Sequence, residues 1–358
     1  MGKICIFIPH HKNPKLLPPL FHSLARMEGN LHDVMIVLVD NGCKDNSIRM
    51  VKKKFPEVSI YALDRNEGFA PALNKAVKAQ RAEWVCFLNN DVHVHPDWLS
   101  HLLKAAQKTK ASCLASHILD WEGQATQFAG GWLNLFGKGF EGTALKSDKP
   151  YEIFFPCGCG MMIRRDLFME VGGFDDDYFM VYEDVDLGWR LRLLGHSIYF
   201  VPDARVMHHA HASLAQETYS RKAAFYERNS LATLYKNLDE DSLKILLPLA
   251  IREALLRAKA ASGIGLPMRY HADGVALRKA VHEFLQQEEK WAEKRRTIQQ
   301  QRQVSDRDIF ERFFPYPTQI WCYSDLHYQR AYHPDIKPLI EACFSMAEKM
   351  VCEERTCR

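Results

Sequence analysis

The chain predicts an α/β protein: a mainly parallel, Rossmann-like sheet with helices on both faces, followed by a C-terminal helical extension. Three observations carry this. Short apolar, β-rich runs alternate with amphipathic helical patterns over the first hundred residues. Polar residues gather where those runs end, which is where ligands sit in such sheets. After about His211 the pattern turns helical, so one domain is expected over 1–213 and a helical region over 214–358.

In chain order, residues 3–9 read as the first strand, and 15–27 carry apolar residues at helical spacing. Strand 35–40 and helix 46–54 follow, with Asn46 or Ser47 as the cap. Strand 59–62, helix 71–80 and strand 84–88 continue the alternation. From 111 to 156 the chain becomes glycine-punctuated and aromatic-rich, which predicts loops and irregular strands covering a cleft. Residues 165–171 form a short helix and 183–194 a longer one, ended by Gly195, before a strand over 197–201. Residues 273–303 read as one long charged helix, ahead of Phe313-Phe-Pro-Tyr-Pro317 and an aromatic tail.

Bulk properties narrow the classes. With 358 residues, 47% of them hydrophobic, the chain can bury a large core. A formal net charge of +3 gives no nucleic-acid footprint. The basic run Lys290-Trp-Ala-Glu-Lys-Arg-Arg296 alternates with acids, as a solvated helix face does, although such a face could also lean on anionic lipid. The apolar run before Pro9 is too short for a secretory signal, and no apolar stretch is long enough to span a bilayer. The ten cysteines then read as reduced thiols of a cytoplasmic protein. Cys157-Gly-Cys159 has no partner pair and reads as a structural loop rather than a zinc site.

The polar strand ends carry the chemistry. Asp40-Asn41 could be an ordinary turn or could meet a nucleotide base or ribose. Asn66-Glu-Gly68-Phe69, with Asn74 beyond it, places a close-approach glycine at a helix start, suited to phosphate. In Asn89-Asn90-Asp91 a carboxylate follows a buried strand and needs a partner to offset its desolvation; a divalent cation carrying a diphosphate would supply one. Glu183-Asp184 opens a helix, where acids cap, yet a carboxylate there could also take a proton from a sugar hydroxyl. Asp186 and Arg190, one turn apart, read as a surface pair. His208, His209 and His211 together point to at least one metal or phosphate contact.

In this order the motifs resemble the inverting, family 2 glycosyltransferases of the GT-A fold, in particular their rhamnosyltransferase-like branch. The resemblance runs from Lys3 to Ser213 and takes in Val39-Asp40-Asn41, the Asn66 to Asn74 stretch and Phe87-Leu-Asn89-Asn90-Asp91 at the DxD position. It continues through 157–165, Val171-Gly-Gly-Phe174-Asp175, Glu183-Asp184-Val-Asp186-Leu and His208. It implies a nucleotide-sugar-binding and catalytic domain over 1–213, with 214–358 left for acceptor, membrane-surface or oligomer contacts. It implies a hexosyltransferase (EC 2.4) that moves rhamnose or another hexose from a dTDP- or UDP-linked donor to a glycan or lipid-linked acceptor, in bacterial surface polysaccharide synthesis. Asp184 would be the catalytic base, with Glu183 the runner-up. Asp91 and His208 would hold Mn²⁺ or Mg²⁺. Pro9, His10, Asp40, Asn41, Asn66, Gly68, Phe69, Asn74, Asn89 and Asn90 would line the donor. Such an enzyme would be cytoplasmic and could sit peripherally on the inner face of the cell membrane. Two positions depart from the family: Asn89 replaces the first DxD acid, and His211 stands where a glycine is usual. The alternative is a catalytically silent GT-A-fold binding or scaffold protein.

Overall fold

The computed structural model describes residues 3–29, 32–209, 219–263 and 274–313. Its strands are β1 (Ile4–His10), β2 (Val34–Asn41), β3 (Ser59–Leu63), β4 (Trp84–Leu88), β5 (Val92–Val94), β6 (Cys113–Leu119), β7 (Thr126–Phe128), β8 (Gly131–Leu133), β9 (Gly139–Glu141), β10 (Tyr151–Glu152), β11 (Gly160–Arg164) and β12 (Ile198–His208). Its helices are α1 (Leu17–Leu24), α2 (Ser47–Lys54), α3 (Phe69–Ala79), α4 (Trp98–Thr109), α5 (Arg165–Glu170), α6 (Glu183–Leu193), α7 (Tyr219–Asn237), α8 (Glu240–Gly263), α9 (Gly274–Gln286), α10 (Glu288–Gln301) and α11 (Asp306–Phe313).

The chain divides into two compact units, one of residues 1–131 with 141–216, the other of 132–140 with 217–358. The first holds a mainly parallel sheet in the order β10-β12-β6-β11-β4-β1-β2-β3. The pairs β1–β2, β1–β4, β2–β3 and β6–β12 are parallel, and β11 runs reversed between β4 and β6. Buried aliphatic and aromatic side chains of β1, β2 and β4 fill the centre; α3, with Leu73 and Val77 buried, packs on β1 and β2, and α1, with Leu17, Leu20 and Leu24 buried, packs on β5. This is the expected α/β architecture.

Two expectations need correcting. The 111–156 stretch is not wholly irregular, because β6 is a central strand with every residue buried. Its polar members are satisfied inside the core: Trp98 Nε1–H donates to Ser116 Oγ (2.8 Å), and the His117 ring meets Pro202 O and Thr126 Oγ1. The long charged helix of 273–303 is two helices, α9 and α10, that break at Gln287.

In the second unit α7 packs on α8, α9 and α10. Buried Leu231, Leu234, Ala250, Ala254, Leu277 and Phe284 form its apolar interior. Among the described residues no helix is long and apolar enough to cross a membrane.

Candidate active site

At the carboxyl ends of β1, β2 and β4 the expected donor residues build a buried network. His10 lies beside Asp40 in the β1–β2 register, and Pro9 beside Val39. Asn90 Nδ2 donates to His10 Nδ1 (2.7 Å), which leaves the ring's Nε2–H to donate to Ser47 Oγ (2.9 Å). Burial pushes the His10 imidazole down to about 4, so it is neutral. Asp40 Oδ1 accepts the Cys43 N–H at 2.8 Å and closes the turn where Gly42 takes φ +70°. Ser47 and Asn46 supply no cap to α2; Asp45 Oδ1 accepts the Ser47 N–H at 2.9 Å instead.

The next residues fasten loops to one another. Asn41 donates to Asn66 Oδ1 (3.0 Å) and Gly68 O (2.9 Å), and accepts the Glu67 N–H (2.9 Å). Gly68 has φ +97°, and a Cβ there would stand 2.4 Å from Phe179 O. The close approach is therefore to backbone, and the Phe69 N–H donates to that same oxygen at 2.7 Å. Asn74 accepts the Phe174 N–H (2.9 Å) and donates to Phe174 O and Asp176 Oδ1 (both 2.7 Å). Asn41, Asn66, Gly68 and Asn74 thus tie residues 66–69 and 173–179 into one wall. The Phe69 ring packs on Phe174, with centroids 5.9 Å apart.

Asp91 and His208 meet because β5 pairs with the end of β12, Val92 opposite His208. Asp91 is 1% exposed, and its Oδ1 lies 3.5 Å from His208 Nε2. His208 Nδ1 bonds Gln127 Oε1 at 2.9 Å, which turns Nε2 toward Asp91. Burial acts to lower the His208 pKa, but Asp91, Cys159 and Glu141 outweigh it and carry the group to about 9. Half-buried Asn89 donates its N–H to Cys159 O at 3.4 Å. His209 donates its N–H to Asp91 O at 2.9 Å, and its ring meets Trp121; His211 lies outside the described residues. Among the described residues no set of three or more His, Cys, Asp and Glu side chains is grouped to hold a metal ion. The Asp91–His208 pair still suits a small divalent cation: neighbouring ligands at bonds of about 2.1 Å stand roughly 3 Å apart, near the 3.5 Å between these donors. Substrate oxygens would complete such a shell.

The second acidic site opens α6. The turn before it forces Val181 (φ 69°) and Tyr182 (φ 79°) into the left-handed region. For non-glycine residues this costs about 1–2 kcal/mol each, and such strain clusters at functional turns. It delivers Asp184 half-buried at the helix start, where Gly158 N–H donates to Oδ2 and Val185 N–H to Oδ1, both at 2.8 Å. Burial raises the Asp184 pKa while those two N–H groups favour the ionised form. Glu183 is buried, and its Oε2 has no hydrogen-bond partner. Burial, and next the charge of Asp184, push its carboxyl up to about 8. Asp186 and Arg190 are not the expected surface pair. Asp186 is fully buried, 2.8 Å from Arg190 Nε, and Arg190 Nη1 donates to Val171 O at 2.6 Å, tying α6 to the glycine loop.

Sequence reasoning missed three roles here: those of Gln127, of Gly158, read only as part of a structural loop, and of Glu141. The first two orient His208 and Asp184 through hydrogen bonds that no spacing announces. Glu141 ends β9 with a side chain open to solvent yet ringed by protein: burial, with Asp184 beside it and His208 opposing, pushes its carboxyl up to about 7. Cys157 and Cys159, with Sγ atoms 3.5 Å apart, flank Gly158 as unbridged thiols.

Residues 5–172 match the family described as glycosyl transferase family 2. The chain is 30% identical over 223 residues to the N-acetylglucosaminyl-diphospho-decaprenol L-rhamnosyltransferase of Mycobacterium tuberculosis, covering 54% of this chain and 72% of that protein. It is 27% identical over 164 residues to the rhamnosyltransferase WbbL of Escherichia coli (42% and 62% covered). It is 26% identical over 226 residues to the O-antigen biosynthesis protein RfbC of Myxococcus xanthus, of which it spans only 18% while 59% of this chain is covered. In fold it is similar to GalNAc-T7 solved with UDP, GalNAc and Mn²⁺ (TM-score 0.55, 16% identity, 78% of this chain and 54% of that one). It is also similar to the mannosyltransferase PcManGT of Pyrobaculum calidifontis solved with GDP-Man and Mn²⁺ (TM-score 0.50, 14% identity, 79% and 87%). These likenesses do not favour a silent scaffold. With the ordered acidic motifs on a GT-A sheet and relatives that are transferases, the chain belongs to glycosyl transferase family 2 and is a glycosyltransferase.

Proposed function

We propose that the chain transfers a hexose, rhamnose being the leading candidate, from a dTDP- or UDP-linked donor to a hydroxyl of a glycan or lipid-linked acceptor, with inversion, in bacterial surface polysaccharide synthesis. The observation that carries this is the placement of Asp184. It is half-buried at the start of α6 and held by two N–H donors, Gly158 and Val185, while Asp91 and His208 form a separate pair 3.5 Å apart. Glu183 is buried with a carboxyl up to about 8, so it keeps its proton at neutral pH and leaves the base role to Asp184.

Asp184 takes the proton of the acceptor hydroxyl as its oxygen bonds the anomeric carbon and the bond from that carbon to the diphosphate breaks. Asp91 and His208 would hold Mn²⁺ or Mg²⁺, and the cation supplies neutralisation of the charge on the departing diphosphate. Asp40 and the exposed Asn66 would lie at the nucleoside end, with Phe69 lining the wall near Gly158. A lipid-linked acceptor would bring the enzyme to the inner face of the membrane as a peripheral protein.

Asp184→Asn keeps the shape and removes the basic charge. Transfer should fall by about 10²–10⁴-fold while nucleotide-sugar binding by calorimetry survives. Near-normal turnover in that variant, or a product of retained anomeric configuration, sinks the mechanism. Glu183→Gln serves as the parallel control, expected to lose far less.

A further inference from the structure

His208 owes its direction to a neighbour on another strand. Ile118 and Leu119 of β6 pair with Phe128 and Thr126 of β7, so the register skips Gln127 and leaves it as the extra residue of a β-bulge. Bulges of this kind re-aim a side chain, and they recur beside active sites. Leu119 also pairs with Met207 of β12, which brings half-buried Gln127 and His208 to the same end of β6. There the Gln127 amide holds the histidine twice. Its Oε1 stands 2.9 Å from His208 Nδ1, and its Nε2 donates to the His208 backbone O at 3.3 Å.

The second of these bonds decides how the first is made. A backbone carbonyl only accepts, so the amide nitrogen must be the end that faces it, and the amide oxygen is then the end that faces the ring. That oxygen only accepts as well, so His208 Nδ1 must carry a proton. A histidine that ligates a cation is neutral, and with the proton on Nδ1 its lone pair lies on Nε2, the nitrogen 3.5 Å from Asp91 Oδ1. We infer that Gln127 is a positioning residue for the cation: its amide commits His208 to the tautomer that ligates through Nε2 and holds the ring turned toward Asp91. The inference rests on the cation-holding role proposed above for Asp91 and His208. Without the amide the ring is free to rotate or to carry its proton on Nε2, and binding would have to reverse both. Hydrogen-bond partners of ligating histidines typically support metal affinity by about 10–100-fold.

Calorimetry of dTDP and UDP binding to the full chain, with Mn²⁺ and with a chelator, tests this, read as the gain in affinity that Mn²⁺ brings. Gln127→Leu and Gln127→Met each remove the amide at similar volume and should cut that gain by about 10–100-fold. Gln127→Glu keeps an oxygen to accept the Nδ1 proton and should keep most of it. Electron spin-echo modulation of the bound Mn²⁺ supplies a spectroscopic signature. A coordinated ring nitrogen should show in the wild type and in Gln127→Glu, weaken in Gln127→Leu and Gln127→Met, and vanish in His208→Ala. A gain in Gln127→Leu and Gln127→Met equal to the wild type overturns the inference, as does a loss in Gln127→Glu as large as theirs. His208→Ala keeps the two readings apart. If it loses the gain while Gln127→Leu and Gln127→Met do not, the positioning role alone falls. If the wild type shows no gain or no nitrogen, or His208→Ala keeps the gain, the cation role of His208 falls and the positioning role with it.

Discussion

Asp91 shows how one residue can be read from sequence while its partner's setting cannot. A carboxylate after the apolar run of β4 had to be paired, and Asp91 is 1% exposed with His208 3.5 Å away. The histidine cluster was visible too. What no spacing could show is which of its members faces Asp91: the β5–β12 register turns His208 inward, while His209 spends its N–H on the Asp91 carbonyl. If the pair holds the cation, Asp91→Ala should remove the Mn²⁺-dependent part of dTDP or UDP binding, with a loss of about tenfold or more, as for one charged contact. Calorimetry with and without Mn²⁺ checks it, and metal dependence equal to the wild type would clear Asp91 of the role. His10 illustrates the opposite case. It reads as a polar strand end near a donor, but its two ring nitrogens are committed to Asn90 and Ser47, a pairing of residues far apart in sequence.

At the scale of elements, the alternating βα pattern was legible because it is local: apolar strands with helical spacing between them recur in every turn of the chain up to β4. β6 was hidden for a physical reason. Its Ser116 and His117 break an apolar run, and they are tolerated in the core only because Trp98, Thr126 and Pro202 satisfy them from elsewhere. The α9–α10 break escaped notice because no glycine or proline marks Gln287 and the charge pattern runs on through it. The sequence reads Gly68 as a close-approach glycine suited to phosphate; in the structure the Phe179 backbone, on the turn into α6, is what approaches it. Gly68→Ala therefore puts a Cβ 2.4 Å from that carbonyl at φ +97°, and no rotamer relieves it. The variant should lose about 1–3 kcal/mol of stability and, through the shifted turn that presents Asp184, lose turnover at temperatures where it remains folded. Denaturant unfolding beside activity measures both, and a variant with wild-type stability and rate would dissociate this contact from the base.

For the molecule as a whole, residues 132–140 group with the helical unit and not with the sheet that flanks them in sequence. The sequence held no sign that 132–140 belongs with the helices, since the reason is a set of charges buried within that second unit. Lys138 Nζ donates to Glu227 Oε1 (2.6 Å) and Ser230 Oγ (2.8 Å); Arg257 pairs with Glu227 and, at 2.7 Å, with Glu253 Oε1. Burial alone would raise the Glu227 pKa, but Arg257 and Lys138 outweigh it and hold the carboxyl down to about 2. Burial lowers the Lys138 ammonium in turn, a cost that Glu227 offsets. The sign of the pH dependence follows. A folded value of about 2 lies below the ordinary 4.5, so Glu227 contributes its stability in full above 4.5 and loses it as pH falls toward 2. Glu227→Gln removes that charge and leaves Lys138 and Arg257 buried beside one another with a neutral amide. It should destabilise the protein by about 3–5 kcal/mol at neutral pH, and flatten the acid limb of stability against pH between about 4.5 and 2. Thermal unfolding of the wild type and the variant across that range decides the matter: parallel acid limbs would mean that the stability lost in acid is held by other carboxylates, and that the network orders this unit without stabilising it.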